Sequence, residues 1–92
     1  MSTKLYNLYY TNDACSDYKK IIRSVHKDKI EKLLDIIRTN PFQTPPPYKK
    51  LVGAYTGAYS RRINLQHRLF YQVDETNRRV KILRMWSHYG DN

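Results

Sequence analysis

All four prolines of this 92-residue chain fall between Pro41 and Pro47, three of them in the run Pro45-Pro46-Pro47. Proline lacks a backbone donor and pushes the residue before it away from helical angles, so no helix crosses this stretch and no central strand contains it. The chain must therefore be built from a front segment and a back segment of different character.

The front segment reads as one strand and two helices. Leu5 to Tyr10 is rich in β-forming residues and ends at Thr11-Asn12-Asp13, where a helix can start. Thr11 or Asn12 can cap it, and Asp13 and Asp17 suit the positive end of its dipole. Ala14, Tyr18, Ile21, Ile22 and Val25 share one helical face. Ser24-Val25-His26 interrupts this helix. A second runs from about Asp28 to Thr39, with Ile30, Leu33, Leu34 and Ile37 forming its apolar stripe, and stops at Asn40-Pro41. Two short amphipathic helices joined tightly form an antiparallel hairpin that covers one face of a sheet.

Behind the stiff, extended, donor-free Pro45-Pro46-Pro47 segment, Tyr48, Lys49 and Lys50 project from a loop. Three strands are predicted next, over about Tyr59 to Asn64, His67 to Val73 and Arg79 to His88, with Asp74 to Asn77 as a hairpin loop. The order β-α-α-β-β-β defines a single α+β domain over residues 1–92. Alternation puts Arg68, Phe70 and Gln72 on one face of the second of these strands and His67, Leu69, Tyr71 and Val73 on the other. Arg84, Trp86 and His88 share a face of the last strand with Val80 and Ile82, so alternation alone does not settle which side is core.

Charge narrows the partners. Seventeen Lys+Arg against eight Asp+Glu give a net charge of +9, which points to a polyanion. Residues 1–46 carry 8 bases and 5 acids, and residues 47–92 carry 9 bases and 3 acids. No acid lies between Asp35 and Asp74, whereas Arg38, Lys49, Lys50, Arg61, Arg62 and Arg68 all do. Interleaved Tyr48, Tyr55, Tyr59 and Tyr71 offer stacking faces, which favours nucleic acid over membrane. The lone cysteine, Cys15, excludes an internal disulfide, and no apolar run is long enough for a membrane span or a signal peptide. A cytoplasmic location is expected. Zinc-ligand spacing and a phosphate-cradling glycine loop are both absent, so no cofactor or metal is expected.

Several back-segment motifs carry a resemblance. Asn40-Pro41-Phe42, Pro46-Pro47-Tyr48-Lys49-Lys50-Leu51, Gly57-Ala58-Tyr59-Ser60-Arg61-Arg62-Ile63, Gln66-His67-Arg68-Leu69-Phe70-Tyr71 and Trp86-Ser87-His88-Tyr89 resemble the YoeB/Txe toxins of the RelE superfamily. The resemblance implies two helices packed on a twisted antiparallel sheet. It also implies an endoribonuclease that cuts mRNA in the A site of the 70S ribosome and is neutralised by a YefM-like antitoxin; a homodimer stays open. By matching position, Arg68 is the phosphate-stabilising arginine, His88 the general acid and Tyr89 a base-stacking or positioning tyrosine. Arg61 and Arg62 are expected to hold RNA or shape the site, and Lys50 and His67 to contact RNA. Where the family usually has a general-base glutamate, this chain has Lys49. A lysine is almost wholly protonated at neutral pH, so Lys49 suits charge stabilisation better than proton removal, and attenuated cleavage is expected. Two rival readings are a non-catalytic RNA- or ribosome-binding protein and a ParE-like gyrase inhibitor. Against the ParE-like reading, Ser87-His88-Tyr89 and His67-Arg68 look like the nuclease branch.

Overall fold

The computed structural model describes residues 5–87. Along the chain run β1 (Asn7–Tyr10), α1 (Asn12–Ile21), α2 (Lys27–Thr39), β2 (Lys49–Lys50), β3 (Tyr59–Arg62), β4 (Arg68–Asp74) and β5 (Arg79–Ser87), with a 3-10 turn at Gly53–Tyr55. The expected α+β arrangement of two helices against a sheet is present. The strands form one five-stranded sheet in the order β1-β5-β4-β3-β2.

Four of these strands run antiparallel, as anticipated, but β1 lies parallel to β5, pairing Asn7 with Arg79 and Tyr10 with Ile82. A parallel pair needs a long crossover, and here everything between β1 and β5 serves as one. A second difference is at Lys49–Lys50, which pairs with Tyr59 and Ser60 as a short edge strand rather than standing out as a loop. Two exposed lysines suit an edge, because their charge discourages pairing with another chain. The proline run bends at Pro45 and Pro46 instead of staying extended, and the Thr44–Pro45 and Pro45–Pro46 bonds are cis.

Thr11 is the cap of α1: its Oγ1 accepts from Ala14 N–H at 3.0 Å and donates to Leu83 O at 2.8 Å. The helix therefore starts already tied to the sheet. It ends at Ile21, so Ile22 and Val25 leave the expected apolar face, and Val25 is 92% exposed. Asp17 turns inward instead. In α2 the expected stripe holds, with Ile30, Leu33, Leu34 and Ile37 all buried. Each such aliphatic side chain stabilises the fold by about 1.5–3 kcal/mol on burial.

The stripe packs with Ala14 and Ile21 of α1 on Leu69, Tyr71, Val80, Ile82 and Met85, making the main core. A smaller cluster of Leu51, Ala58 and Phe70, with Leu83 against it, sits across the sheet. Two register shifts between β4 and β5 answer the parity question of the last strand. Val80, Ile82 and Met85 all reach the main core, which simple alternation forbids. An extra residue in one strand re-aims the side chains beyond it.

Candidate nucleic-acid interface

Register on the face opposite the main core assembles the cations. Lys49 pairs with Ser60, which pairs with Phe70. One step along, Arg62 pairs with Arg68, which pairs with Ser87. Cross-strand partners share a face, so Lys49, Ser60, Arg62 and Arg68 stand together. Like charges directly opposite each other repel, and neither Arg62 nor Arg68 has an ion-pair partner among the described residues. The pair is maintained against that repulsion, and an anion seated between the guanidiniums would relieve it.

These side chains line a groove of about 560 Å³ together with Pro46, Pro47, Tyr48 and Lys29 of α2. Among the described residues its lining contains four cations and no carboxylate. Lys29 had no distinguishing signal in the sequence, being one of several lysines on the polar side of α2; only the packing of α2 brings it here. Ser60 is 2% exposed, and its Oγ has no hydrogen-bond partner among the described residues. Such a buried, unmatched hydroxyl costs about 1–3 kcal/mol. A second concavity, also about 560 Å³, is lined by Tyr10, Cys15, Tyr18, Lys19, Glu31 and Arg38 among others. It mixes both signs of charge and holds none of the expected site residues.

Arg61 requires a correction. It is fully buried and cannot meet RNA. Its Nε donates to Tyr71 Oη at 3.0 Å, Nη1 to Pro46 O at 2.6 Å, and Nη2 to Pro41 O and Gln43 O, both at 2.9 Å. Tyr48 and Tyr71 rings flank the guanidinium at 5.2 and 5.9 Å. Of the two roles expected, only shaping the site fits: Arg61 straps the 41–48 segment, and so the groove wall, to the sheet. The Tyr71 hydroxyl in turn donates to Pro41 O at 2.8 Å, and burial pushes its pKa up to about 12 despite the nearby Arg61 charge.

His67 is not among the groove-lining residues. Its ring stacks on Trp86 at 3.8 Å and 15°, and His26 approaches the same indole at 5.8 Å. Lys50 is exposed on β2, outside the groove lining. Arg84 is committed elsewhere: its Nε donates to Asp17 Oδ2 at 2.8 Å, and that oxygen also accepts from Met85 N–H at 3.0 Å. Burial by itself would raise the Asp17 pKa, but the hydrogen bonds from Arg84 and Met85 and the Arg84 charge prevail and lower it. His88 and Tyr89 lie outside the described residues; Ser87, just before them, pairs with Arg68. Among the described residues no group of three or more His, Cys, Asp or Glu could hold a metal, and no helix is long and apolar enough to cross a membrane.

The fold is that of the RelE/YoeB-like toxins. An archaeal RelE–RelB complex from Pyrococcus horikoshii OT3 shares the fold at a TM-score of 0.72 and 20% identity, covering 94% of this chain and 98% of that one. More similar is a YoeB/ParE toxin from Agrobacterium tumefaciens, with a TM-score of 0.81 and 28% identity over 90% of this chain and 99% of that one. The YoeB dimer from Staphylococcus aureus has a TM-score of 0.77 and 36% identity over 91% and 98%. The S. aureus YoeB–YefM complex aligns with the same identity and coverage at a TM-score of 0.75. None of the curated protein sequences is similar enough to count as a match. The model of the YoeB-like toxin of bacterial type II toxin–antitoxin systems matches residues 10–89. The chain belongs to that family.

Proposed function

We propose that this toxin is a ribosome-dependent endoribonuclease that cleaves mRNA in the A site, acting in the cytoplasm and neutralised by a YefM-like antitoxin. The observation that carries this reading is the Arg62–Arg68 cross-strand pair facing a groove without carboxylates. In such a cleavage the ribose 2′-oxygen bonds to the adjacent phosphorus, the bond to the 5′-oxygen breaks, and that oxygen takes a proton. Negative charge builds on the phosphorane oxygens, where Arg62, Arg68 and Lys49 stabilise it. His88 supplies the proton to the leaving oxygen, and Tyr89 positions the base. With Lys49 there, no carboxylate among the described groove residues takes the 2′-proton, which passes to water instead, so cleavage is attenuated. By analogy with the S. aureus YoeB–YefM complex and YoeB dimer, an antitoxin complex and a homodimer are the expected assemblies of this chain.

The lack of a carboxylate also favours a second reading, an RNA- or ribosome-binding toxin without catalysis. Incubation with programmed ribosomes separates the two. The nuclease reading requires discrete A-site cuts in the bound mRNA, reduced by about 10²-fold or more in Arg68→Ala, which removes transition-state charge stabilisation. Ribosome binding with intact mRNA supports the second reading. Inhibition of gyrase with no effect on translation overturns both.

A further inference from the structure

Among the described groove residues, Ser60 is the one with a buried side-chain polar atom that lacks a hydrogen-bond partner. It sits on β3 between Lys49 and Phe70 in one cross-strand row, with Arg62 two residues further on and Arg68 beside it. The charged residues described in the groove lining are all cations. The hydroxyl is nine-tenths and more buried, has no hydrogen-bond partner, and belongs to the groove lining. Alanine would fill the same small space without the unmatched oxygen. Lysine and arginine heads offer only donors, so none of the groove cations can accept the Ser60 proton. A phosphate oxygen can accept it, and the same four cations attract phosphate.

We infer that Ser60 is a ligand-contacting residue whose Oγ–H donates to a non-bridging phosphate oxygen of an RNA strand held by Arg62 and Arg68. The inference rests on the RNA reading above and names the group at the groove floor that reads the phosphate. Lys49 is exposed and directly opposite Ser60, so its side chain can swing aside as the phosphate enters. The hydroxyl adds direction to a charge field that is otherwise only attractive, fixing one phosphate oxygen relative to the arginine pair.

The test uses the full chain and a single-stranded RNA hexamer with 2′-O-methyl riboses, which binds but cannot be cleaved, followed by fluorescence anisotropy. Ser60→Ala should bind about tenfold more weakly, the usual effect of losing one hydrogen bond to a charged oxygen. The slope of log affinity against log salt should not change, because no charge is lost. Arg62→Ala should alter both affinity and slope. The melting temperature of ligand-free Ser60→Ala should equal or exceed that of the parent, since an unmatched buried hydroxyl has been removed. Ser60→Cys, with a weaker donor of similar shape, should bind at an intermediate level. Parent-like affinity in Ser60→Ala overturns the Ser60 contact alone. A parent protein that binds neither the hexamer nor a ribosome programmed with the same 2′-O-methyl sequence in the A site overturns the RNA reading and the contact with it; where only the ribosome is bound, the parent and Ser60→Ala are compared there, and equal affinity overturns the contact. A Ser60→Ala that melts lower and keeps the parent affinity marks the serine as structural.

Discussion

Arg61 and Arg62 are neighbours in sequence with the same chemistry, yet one is fully buried and the other lines the open groove. Arg61→Ala leaves the carbonyls of Gln43 and Pro46 and the Tyr71 hydroxyl without the Arg61 donor, while Pro41 O keeps only the bond from Tyr71. A loss of about 2–4 kcal/mol is expected at roughly 1 kcal/mol per bond. In a domain of this size that lowers the melting temperature by about 10 °C or more, as calorimetry would show. Arg62→Ala should melt within a few degrees of the parent and lose RNA affinity instead. Equal effects of the two substitutions on stability would contradict the division of labour. Lys49 belongs to the same scale. A glutamate there would stand opposite Ser60 and beside Arg62 and Arg68, where cations keep it ionised and able to take the 2′-OH proton. Lys49→Glu should raise single-turnover cleavage on programmed ribosomes by about 10²–10⁴-fold, the range of general-base catalysis, while slightly weakening RNA binding. A folded, ribosome-bound variant with unchanged cleavage would move the missing base elsewhere.

Between elements, the contact with most at stake is that of α1 with β5. Asp17 is almost wholly buried, and Arg84 and the Met85 N–H hold it as a carboxylate. Because its folded pKa is lowered, the unfolded chain binds the proton more readily. The stability it supplies is therefore complete above the ordinary carboxylate range near pH 4 and is lost as pH falls through the lower folded value. Asp17→Asn should cost about 1–3 kcal/mol at neutral pH, less than a fully buried pair because Arg84 is partly exposed to water. The difference from the parent should shrink steadily below about pH 4. Urea unfolding at neutral and acid pH measures both, and a constant difference across that range would exclude the linkage. Tyr71 acts in the opposite direction: with its pKa raised to about 12, its contribution holds up to the ordinary phenol value and is lost above it.

For the whole molecule, the net charge of +9 matters less than its placement. A uniformly basic surface would bind any polyanion weakly, whereas this fold gathers Lys29, Lys49, Arg62 and Arg68 around one groove. Four phosphate-facing cations predict a slope of log affinity against log salt of about −3 for single-stranded RNA, or about fiftyfold weaker binding at 200 mM than at 50 mM salt. An affinity flat across that range would sink the groove as an electrostatic site. Arg84, although in the basic half, should not contribute to the slope, because Asp17 already neutralises it.

Much of this was legible in the order of residues, for reasons that are local. The α2 stripe, the Thr11 cap, the stop before Pro41 and the Asp74 to Asn77 hairpin depend on periodicity and backbone chemistry within a few residues. Alternation in β4 likewise placed Arg68 with Phe70 and opposite Leu69 and Tyr71, because a strand without a bulge keeps period two. The family motifs marked Arg62, Arg68 and Lys49 as site candidates, and the register brings all three to one groove. What only the tertiary structure decided involves partners distant along the chain. Alternation could not foresee that extra residues in β5 would shift its pairing, nor that β1 would lie parallel beside it. Composition counted Arg61 as one more surface cation, and the dipole argument kept Asp17 at a helix end. Burial reversed both assignments: carbonyls from the 41–46 segment surround the arginine, and a strand 67 residues away supplies Arg84 to the aspartate. A side chain's charge is set by its own atoms, but its solvent and its partners are set by what the rest of the chain packs around it.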